Sequence, residues 1–355
     1  LIIGLITSLF TAIFITRMVF EWMLKKNYTI KFGNRMTNNL LSKTNFDFIG
    51  KRKIFYTVSI IIVGVGLLSS VFYGFSYGVD FVGGRSYVVR YDKPVNSADL
   101  REELVPLFDN QATEIKTFGG ENQVRITTKY LFDSESDNDA DHTIIEKIFN
   151  SSEQYLTSSV DLKQFEQNNV MSSQKVGPSI SEDITKKAIW AVILSLIGVF
   201  LYIFLRFKDW RFAVGGIVSL AHDTIGVIGC FSILRNVMPF SMEVDSGFIA
   251  AILTVIGYSI NDTVVIYDRI REWRVIHPKM DLKTLFNGAM NSTLGRTINT
   301  SLTVFFVLLV IFIFGGEVVR GFVFAMLIGV VFGVYSTAFN AAAIVYDTLK
   351  SKKSN

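Results

Sequence analysis

Asp262 stands where a carboxylate needs a reason. From Ser246 to Asn261 the chain reads SGFIAAILTVIGYSIN without a charge, and Val264, Val265, Ile266 and Tyr267 follow Asp262 before the charged cluster DRIRE. An ionised side chain at the centre of a membrane helix costs about 2.5–3.5 kcal/mol on insertion scales. Tyr258 and Ser259, at i−4 and i−3, share a helical face with Asp262, and Asn261 and Thr263 flank it. Two further apolar runs carry polar insertions. His222 and Asp223 form AHDT near the middle of 212–234, and Arg296 leads the polar turn GRTINTSLT (295–303), which also holds Asn299 and Thr300. Lipid offers such groups no partner, so they must face a bundle interior or a wet cavity.

The chemistry these types suit is proton transfer. Desolvation favours the neutral form of a carboxyl, and an approaching guanidinium favours the anion. A group poised between the two takes up a proton from one side of a membrane and loses it to the other, and one charge crossing 100 mV is worth about 2.3 kcal/mol. Asp262, Arg296, His222 and Asp223 are therefore the candidate relay residues, with Tyr258, Ser259, Asn261, Thr263, Asn299 and Thr300 in support. Carboxylate, hydroxyl and amide oxygens also suit sodium, so both ions stand as coupling ions. Plainer readings stand beside these. Asp262 also fits a structural pair within the bundle, Arg296 a basic anchor snorkelling to the interface, and His222 with Asp223 a buried pair that fixes packing.

Other chemistry finds little support. The chain has no GxxxxGK[ST], HExxH or GxSxG pattern, and His142, His222 and His277 fall in different compartments. No enzyme activity, cofactor, metal or nucleic-acid partner is expected. The lone Cys230 reads as a small core residue.

Half of the 355 residues are hydrophobic and 19% are charged, low charge for a water-soluble chain. Charge-free runs long enough to cross about 30 Å of hydrocarbon occur at 1–16, 54–79, 188–205, 212–234, 246–268, 297–316 and 321–346. The fold class read from this is a polytopic α-helical membrane protein of about seven spans with one extracytoplasmic ferredoxin-like α+β domain. The expected order is a helix in 1–24, a basic linker 25–53, a span 54–79, the domain 80–186, a five-helix bundle 187–347 and a tail 348–355. Segment 269–294, too polar to span, is expected as a cytoplasmic piece in which MDLKTLFNGAM (280–290) forms a short amphipathic helix on the membrane surface.

Basic residues orient the spans. The linker carries eight Lys/Arg against the single acid Asp47, and RFKDWR (206–211), 269–296 and KSKKSN are basic too. All four fall on one side, the cytoplasm, which puts Leu1 outside and Asn355 inside. The chain begins in a hydrophobic stretch without Met and is read as the C-terminal piece of a longer protein.

The domain has no cysteine and must cohere by its own core. Strand SYVVRY (86–91), helix 97–108 with a Ser cap, strands near 112–118 and 122–129 joined by GGEN, helix 140–157 and strand 168–176 give the order βαββαβ. DSESDNDADH (133–142) reads as a solvated loop. Gly78, Asp80, Gly83 and Gly84 of GVDFVGG read as a turn between span and domain, Gly177 and Pro178 as setting the angle of return, and GVVFG (329–333) as close helix packing.

Five motifs in order resemble one family. GVDFVGG (78–84) and VGPSISEDITKKA (176–188) are similar to the paired signatures of the SecF part of the bacterial protein-export component SecDF. IGYSINDTVVIYDRIRE (256–272), GRTINTSLT and NFDFIGKRKIFYTVSI (45–60) resemble that family equally, and LIIGLITSLFTAIFITRMVFEWM looks like the last span of SecD. The resemblance implies a member of the resistance–nodulation–division superfamily that uses the proton-motive force to assist late preprotein translocation. It also implies the bacterial inner membrane as location. The implied partners are the remainder of SecD, the SecYEG translocon, unfolded preprotein on the periplasmic side and the lipid bilayer. By the same resemblance, Asp262 and Arg296 match the family's essential transmembrane acid and base, while another essential acid lies in a SecD span this chain lacks. The alternatives are a proton-driven exporter of small molecules or lipids and a non-transporting scaffold.

Overall fold

Backbone polar groups in hydrocarbon must bond within their own segment, so charge-free runs fold as helices. The computed structural model describes residues 6–7, 9–28, 44–111, 113–132, 137–156, 160–235, 237–238, 240, 242–315 and 317–353. The chain forms two units, Leu1–Thr44 and Asn45–Asn355. In the first, a π-helical turn Thr11–Ile15 leads into α1 (Thr16–Lys25), whose Arg17 and Glu21 pair at 2.7 Å. Parts of the expected first helix and of the basic linker lie outside the described residues.

The second unit holds six helices long and apolar enough to cross a membrane, among the described residues. They are α2 (Arg52–Phe72), then α7 (Pro178–Phe207), α8 (Trp210–Leu234), α9 (Ser246–Ile276), α10 (Leu282–Phe314) and α11 (Glu317–Ser336). The last continues through a π-helical turn, Thr337–Ala341, into α12 (Ala342–Lys353). Gly329 of GVVFG packs directly against Val255 of α9.

The polar segment 269–294 departs from expectation. α9 runs on to Ile276, and residues 282–290 are the first turns of the 33-residue α10, capped by Asp281, which accepts from Lys283 N (3.0 Å) and Thr284 N (3.1 Å). Leu285, Phe286, Ala289 and Met290 are buried against Ile266, Tyr267, Ile270 and Val345. Asn291 holds the backbone of Phe46 by two bonds of 2.9 Å, and Asn287 accepts from Ile49 N (3.0 Å). The apolar stripe that suggested a membrane surface thus faces protein.

Between α2 and α7 come β1 (Ser76–Tyr77), the short α3 (Val79–Val82), β2 (Gly84–Arg90), α4 (Ser97–Leu107), β3 (Thr113–Thr117), β4 (Gln123–Thr128), α5 (Asp137–Ser152), α6 (Leu162–Asn168) and β5 (Val170–Val176). Four strands form an antiparallel sheet in the order β3-β4-β2-β5. Period-two alternation sends Tyr87, Val89, Ile115, Val124 and Ile126 to one face, where Leu100 and Leu104 of α4, Phe108 just after it, and Ile144, Ile145 and Ile148 of α5 cover them. Asn96, not Ser97, caps α4, accepting from Ala98 N at 3.0 Å. α5 begins earlier than the sequence suggested, part of DSESDNDADH becomes its first turn, and α6 was not expected. The glycine pair is a backbone requirement: Gly83 and Gly84 have φ of +67° and +132°, and a side chain on Gly84 would lie 3.0 Å from the Thr128 carbonyl. Gly177 precedes α7, and Pro178 takes its first position, where no N–H is needed.

Candidate functional site: a polar seam through the helix bundle

The short link after α7 folds α8 back into the middle of the bundle, where it packs on α2, α7, α9 and α11. Burial on several sides is why His222 and Asp223 are 4% and 1% exposed. Asp223 Oδ1 lies 3.1 Å from His222 Nδ1. Its other oxygen accepts from Ser259 Oγ of α9 at 2.7 Å and from Ser336 Oγ of α11 at 2.8 Å.

One turn further along α9, Asp262 is 5% exposed. It accepts from Ser301 Oγ of α10 at 3.2 Å, and Ser301 Oγ accepts from Tyr258 OH at 3.2 Å. Thr263 Oγ1 donates to the Ser259 carbonyl at 3.2 Å and lies 2.9 Å from Thr337 Oγ1. The spacing of Ser259, Asp262 and Thr263 puts all three on the buried face of α9, so both carboxylates meet the same helix one turn apart.

The π-helical turn shapes the opposing wall. In a regular helix, adjacent residues diverge by about 100°, whereas a wide turn lets neighbours contribute to one interface. Ser336 reaches Asp223 while Thr337 reaches Thr263, and Asn340 bonds Ser59 Oγ at 2.8 Å. The seam continues through Tyr335, whose ring stacks on His222 at 5.6 Å, accepts from Ser59 Oγ at 3.1 Å and donates to the Phe55 carbonyl at 2.9 Å. His222 Nε2, Ser219 Oγ, Thr224 Oγ1 and Thr297 Oγ1 are buried and without a hydrogen-bond partner among the described residues.

Arg296 lies on α10 ahead of Ser301 and is exposed. With Asp268, Arg269, Glu272 and Ser292 it lines a polar cleft of about 340 Å³ between α9 and α10. The cleft and the Asp262 contact occupy successive levels of the same antiparallel helix pair, since Arg269 bonds Ser292 at 2.9 Å as Asp262 bonds Ser301.

The structure thus gathers Asp223, His222, Ser259, Asp262, Thr263 and Tyr258 and puts Arg296 at the polar cleft further along the same helix pair. It does not bring in Asn261, Asn299 or Thr300. The first two are exposed, and Thr300 Oγ1 bonds carbonyls of its own helix, Arg296 O and Thr297 O, both at 3.0 Å. The oxygen-rich shell expected around Asp262 is therefore denser at Asp223. Sequence reasoning did not single out Ser301, although it lies within GRTINTSLT, and it missed Ser336, Thr337 and Asn340, for which YSTAFN (335–340), a polar run in an otherwise apolar span, was the available signal. Among the described residues no cluster of three His, Cys, Asp or Glu could hold a metal ion. The seam instead offers two carboxylates, an imidazole and a set of hydroxyls able both to donate and to accept.

Comparison with known proteins gives a consistent result. Residues 157–351 match the family described as protein export membrane protein SecD/SecF, C-terminal, and residues 68–95 match the SecD/SecF GG motif. A protein translocase subunit SecF from Rhodothermus marinus is 37% identical over 310 residues, covering 87% of this chain and 94% of the relative. One from Magnetococcus marinus is 36% identical over 306 residues, covering 86% and 92%. The crystal structure of SecDF from Thermus thermophilus, a translocon-associated membrane protein, aligns with a TM-score of 0.79 at 27% identity, over 99% of this chain and 44% of that one. SecDF in a super-membrane-facing form aligns with a TM-score of 0.69 and the same coverage. The chain spans less than half of the SecDF chain it matches.

Proposed function

Since the chain belongs to the SecD/SecF family of protein-export membrane proteins, we propose that it serves in Sec-dependent export as the SecF portion of a proton-driven machine. The observation that carries this reading is Asp262, 5% exposed inside the bundle, held by a neutral hydroxyl, with Arg296 and a polar cleft further along the same helix pair. Protonation of Asp262 removes its charge and turns Ser301 from donor to acceptor, loosening the attraction of Arg296. Release of the proton restores both. Repeated across a gradient, this cycle shifts α9 against α10 and promotes preprotein movement and release on the outer side.

In this reading the chain is a multi-pass inner-membrane protein with Leu1 outside and Asn355 in the cytoplasm, supported by the basic character of 25–53, 206–211, 269–296 and the tail. The α+β domain then stands outside, and its order β3-β4-β2-β5 supports a ferredoxin-like description. Its partners are the rest of SecD, the SecYEG translocon, unfolded preprotein and the lipid bilayer. The names of the relatives favour protein export over small-molecule export or a passive scaffold. Sodium as coupling ion has the hydroxyl shell of Asp223 in its favour, and a sodium gradient replacing the proton gradient in the same assay decides it.

The test is Asp262→Asn in the full-length protein, following export of a secreted precursor with and without an imposed proton gradient. Stimulation by the gradient is expected to vanish while protein level and complex assembly hold. Unchanged stimulation would make Asp262 structural.

A further inference from the structure

The α+β domain meets the bundle at a joint whose bonds converge on the first turn of α9. β1 pairs in parallel with the two-residue β6 (Glu243–Val244) just ahead of α9, Ser76 opposite Glu243 and Tyr77 opposite Val244, and Gly78 N donates to the Val244 carbonyl at 2.9 Å. A side chain on Gly78 would place its Cβ 2.9 Å from that of Asp245, so glycine is what permits the approach. A strand pair this short has little stability of its own. Side chains fasten it at two points.

The first point is Asp80 in α3, within the glycine-pair segment. Its Oδ2 accepts from Ser246 N at 3.0 Å and from Ser246 Oγ at 2.5 Å. Ser246 is the first residue of α9, and its N–H has no partner within the helix. Asp245 meanwhile accepts from Phe248 N at 2.7 Å. The helix is therefore capped from two sources, its own preceding residue and the segment that leads into the domain. The second point is Glu243, whose side chain is 7% exposed and accepts from Arg125 Nη1 at 2.8 Å, with Lys116 Nζ 3.6 Å from its other oxygen. Lys116 and Arg125 sit directly opposite each other on β3 and β4, so the sheet grips Glu243 as a unit. Arg125 is itself held over the Phe118 ring at 3.9 Å.

From this joint α9 continues as a single 31-residue helix. The sixteen-residue step from Ser246 to Asp262 spans about 24 Å at 1.5 Å per residue. A displacement at one end therefore reaches the other without an intervening hinge.

We propose that Asp80 and Glu243 form a two-point clasp that makes α9 a lever between the Asp262 site and the α+β domain, with Asp80 as the positioning residue through which the glycine-pair segment acts. The inference rests on the proton-site reading of Asp262. Its test uses the full-length protein in membrane vesicles, measuring amide exchange over 243–248 and gradient-stimulated precursor export. Asp80→Ala is expected to speed exchange there at least tenfold and to cut the gradient-stimulated component at least fivefold, leaving gradient-independent export in place. Arg125→Glu is expected to do the same, and Arg125→Glu with Glu243→Arg to restore both readouts, which a misfolded domain could not do. Asp262→Asn is expected to abolish stimulation with exchange over 243–248 still slow. Stimulation surviving Asp262→Asn overturns the proton-site reading. Stimulation lost there but unchanged in Asp80→Ala overturns the lever alone, as does unchanged exchange in Asp80→Ala or a charge swap that fails to restore the Arg125→Glu defect.

Discussion

In the α+β domain the Arg85 side chain is wholly buried, and its guanidinium donates to Asp141 at 2.6 Å and to Asp137 at 2.7 Å, while the Tyr87 hydroxyl also bonds Asp141. In the bundle, Asp223 and Asp262 are nearly as buried, yet the donors that reach them are serine hydroxyls and, for Asp223, an imidazole. The two regions hold charge inside by opposite means. A guanidinium only donates, so protonating either acid beside Arg85 removes the charge from one bond and leaves the buried cation with a single anionic partner. A serine hydroxyl donates to a carboxylate and accepts from a carboxyl, so the bundle contacts survive a change of protonation by turning a hydrogen round. The first arrangement fixes a fold; the second lets a charge come and go.

Removing one partner separates them most widely. Asp141→Ala leaves Arg85 with Asp137 alone and frees the Tyr87 hydroxyl, and breaking a buried ion pair this way costs about 3–5 kcal/mol. Because Asp137 remains, a loss near 3 kcal/mol is expected, read by denaturant unfolding or by amide exchange across β2 and α5 in the full chain. A loss below about 1 kcal/mol would mean that the Arg85 network does not hold the domain and that the contrast fails.

How much of this contrast was legible in the sequence follows from what each feature looks like in one dimension. The spans and both buried carboxylates stood out because a charge interrupts an apolar run. The sheet was legible in the strand run SYVVRY and in the GGEN link between the next two strands. Ser336 and Thr337 did not stand out, since hydroxyls are ordinary in membrane helices. Adjacent residues also diverge by about 100° on a regular helix, and these two reach the seam where the π-helical turn begins. Asn261 erred the other way: right in type and beside Asp262, it is carried to the exposed side by the same rotation. The stripe at 285–290 was read correctly as apolar, but its partner, the buried Phe48 and Ile49 with α9 and α12, is distant in sequence.

A smaller effect tests the hydroxyl side. Ser336→Ala removes one of the two hydroxyls that donate to Asp223, leaving Ser259 in place. One such bond is worth about 1 kcal/mol net, and that loss is expected in unfolding of the detergent-solubilised protein. Ser336→Thr, which keeps the hydroxyl, should recover most of it. A loss above about 3 kcal/mol would put Asp223 in the same class as Arg85.

Acid should weaken the domain modestly. The Lys175 ammonium, and after it Arg85, hold the Asp137 carboxyl below its ordinary value of 3.8. A depressed folded value means the contribution is fully present above that ordinary value and is lost as pH falls through the lower one. Asp137 is 62% exposed, so solvent screening keeps the effect small. Thermal midpoints measured from pH 6 downward should fall below about pH 4, and less steeply in Asp137→Asn. Identical profiles would mean that Asp137 adds nothing to the Arg85 network.

The smallest change in stability is expected where the functional effect is largest. Asparagine at 262 keeps an amide oxygen for the Ser301 hydroxyl and removes the charge, so Asp262→Asn should shift unfolding by no more than about 0.5 kcal/mol, well inside the range of an ordinary hydrogen bond. The same substitution at Asp141 turns charge-assisted bonds to Arg85 into neutral ones and should cost about 1–2 kcal/mol more. Run side by side, the two Asp→Asn variants isolate the loss of charge, since the substitution is chemically the same in both. A carboxylate that serves the fold betrays itself in stability. One whose charge is meant to change does not, because its neighbours are already satisfied by either form. Equal losses at the two positions would place Asp262 among the structural acids, and the hydroxyl shell would then be packing rather than provision for a moving proton.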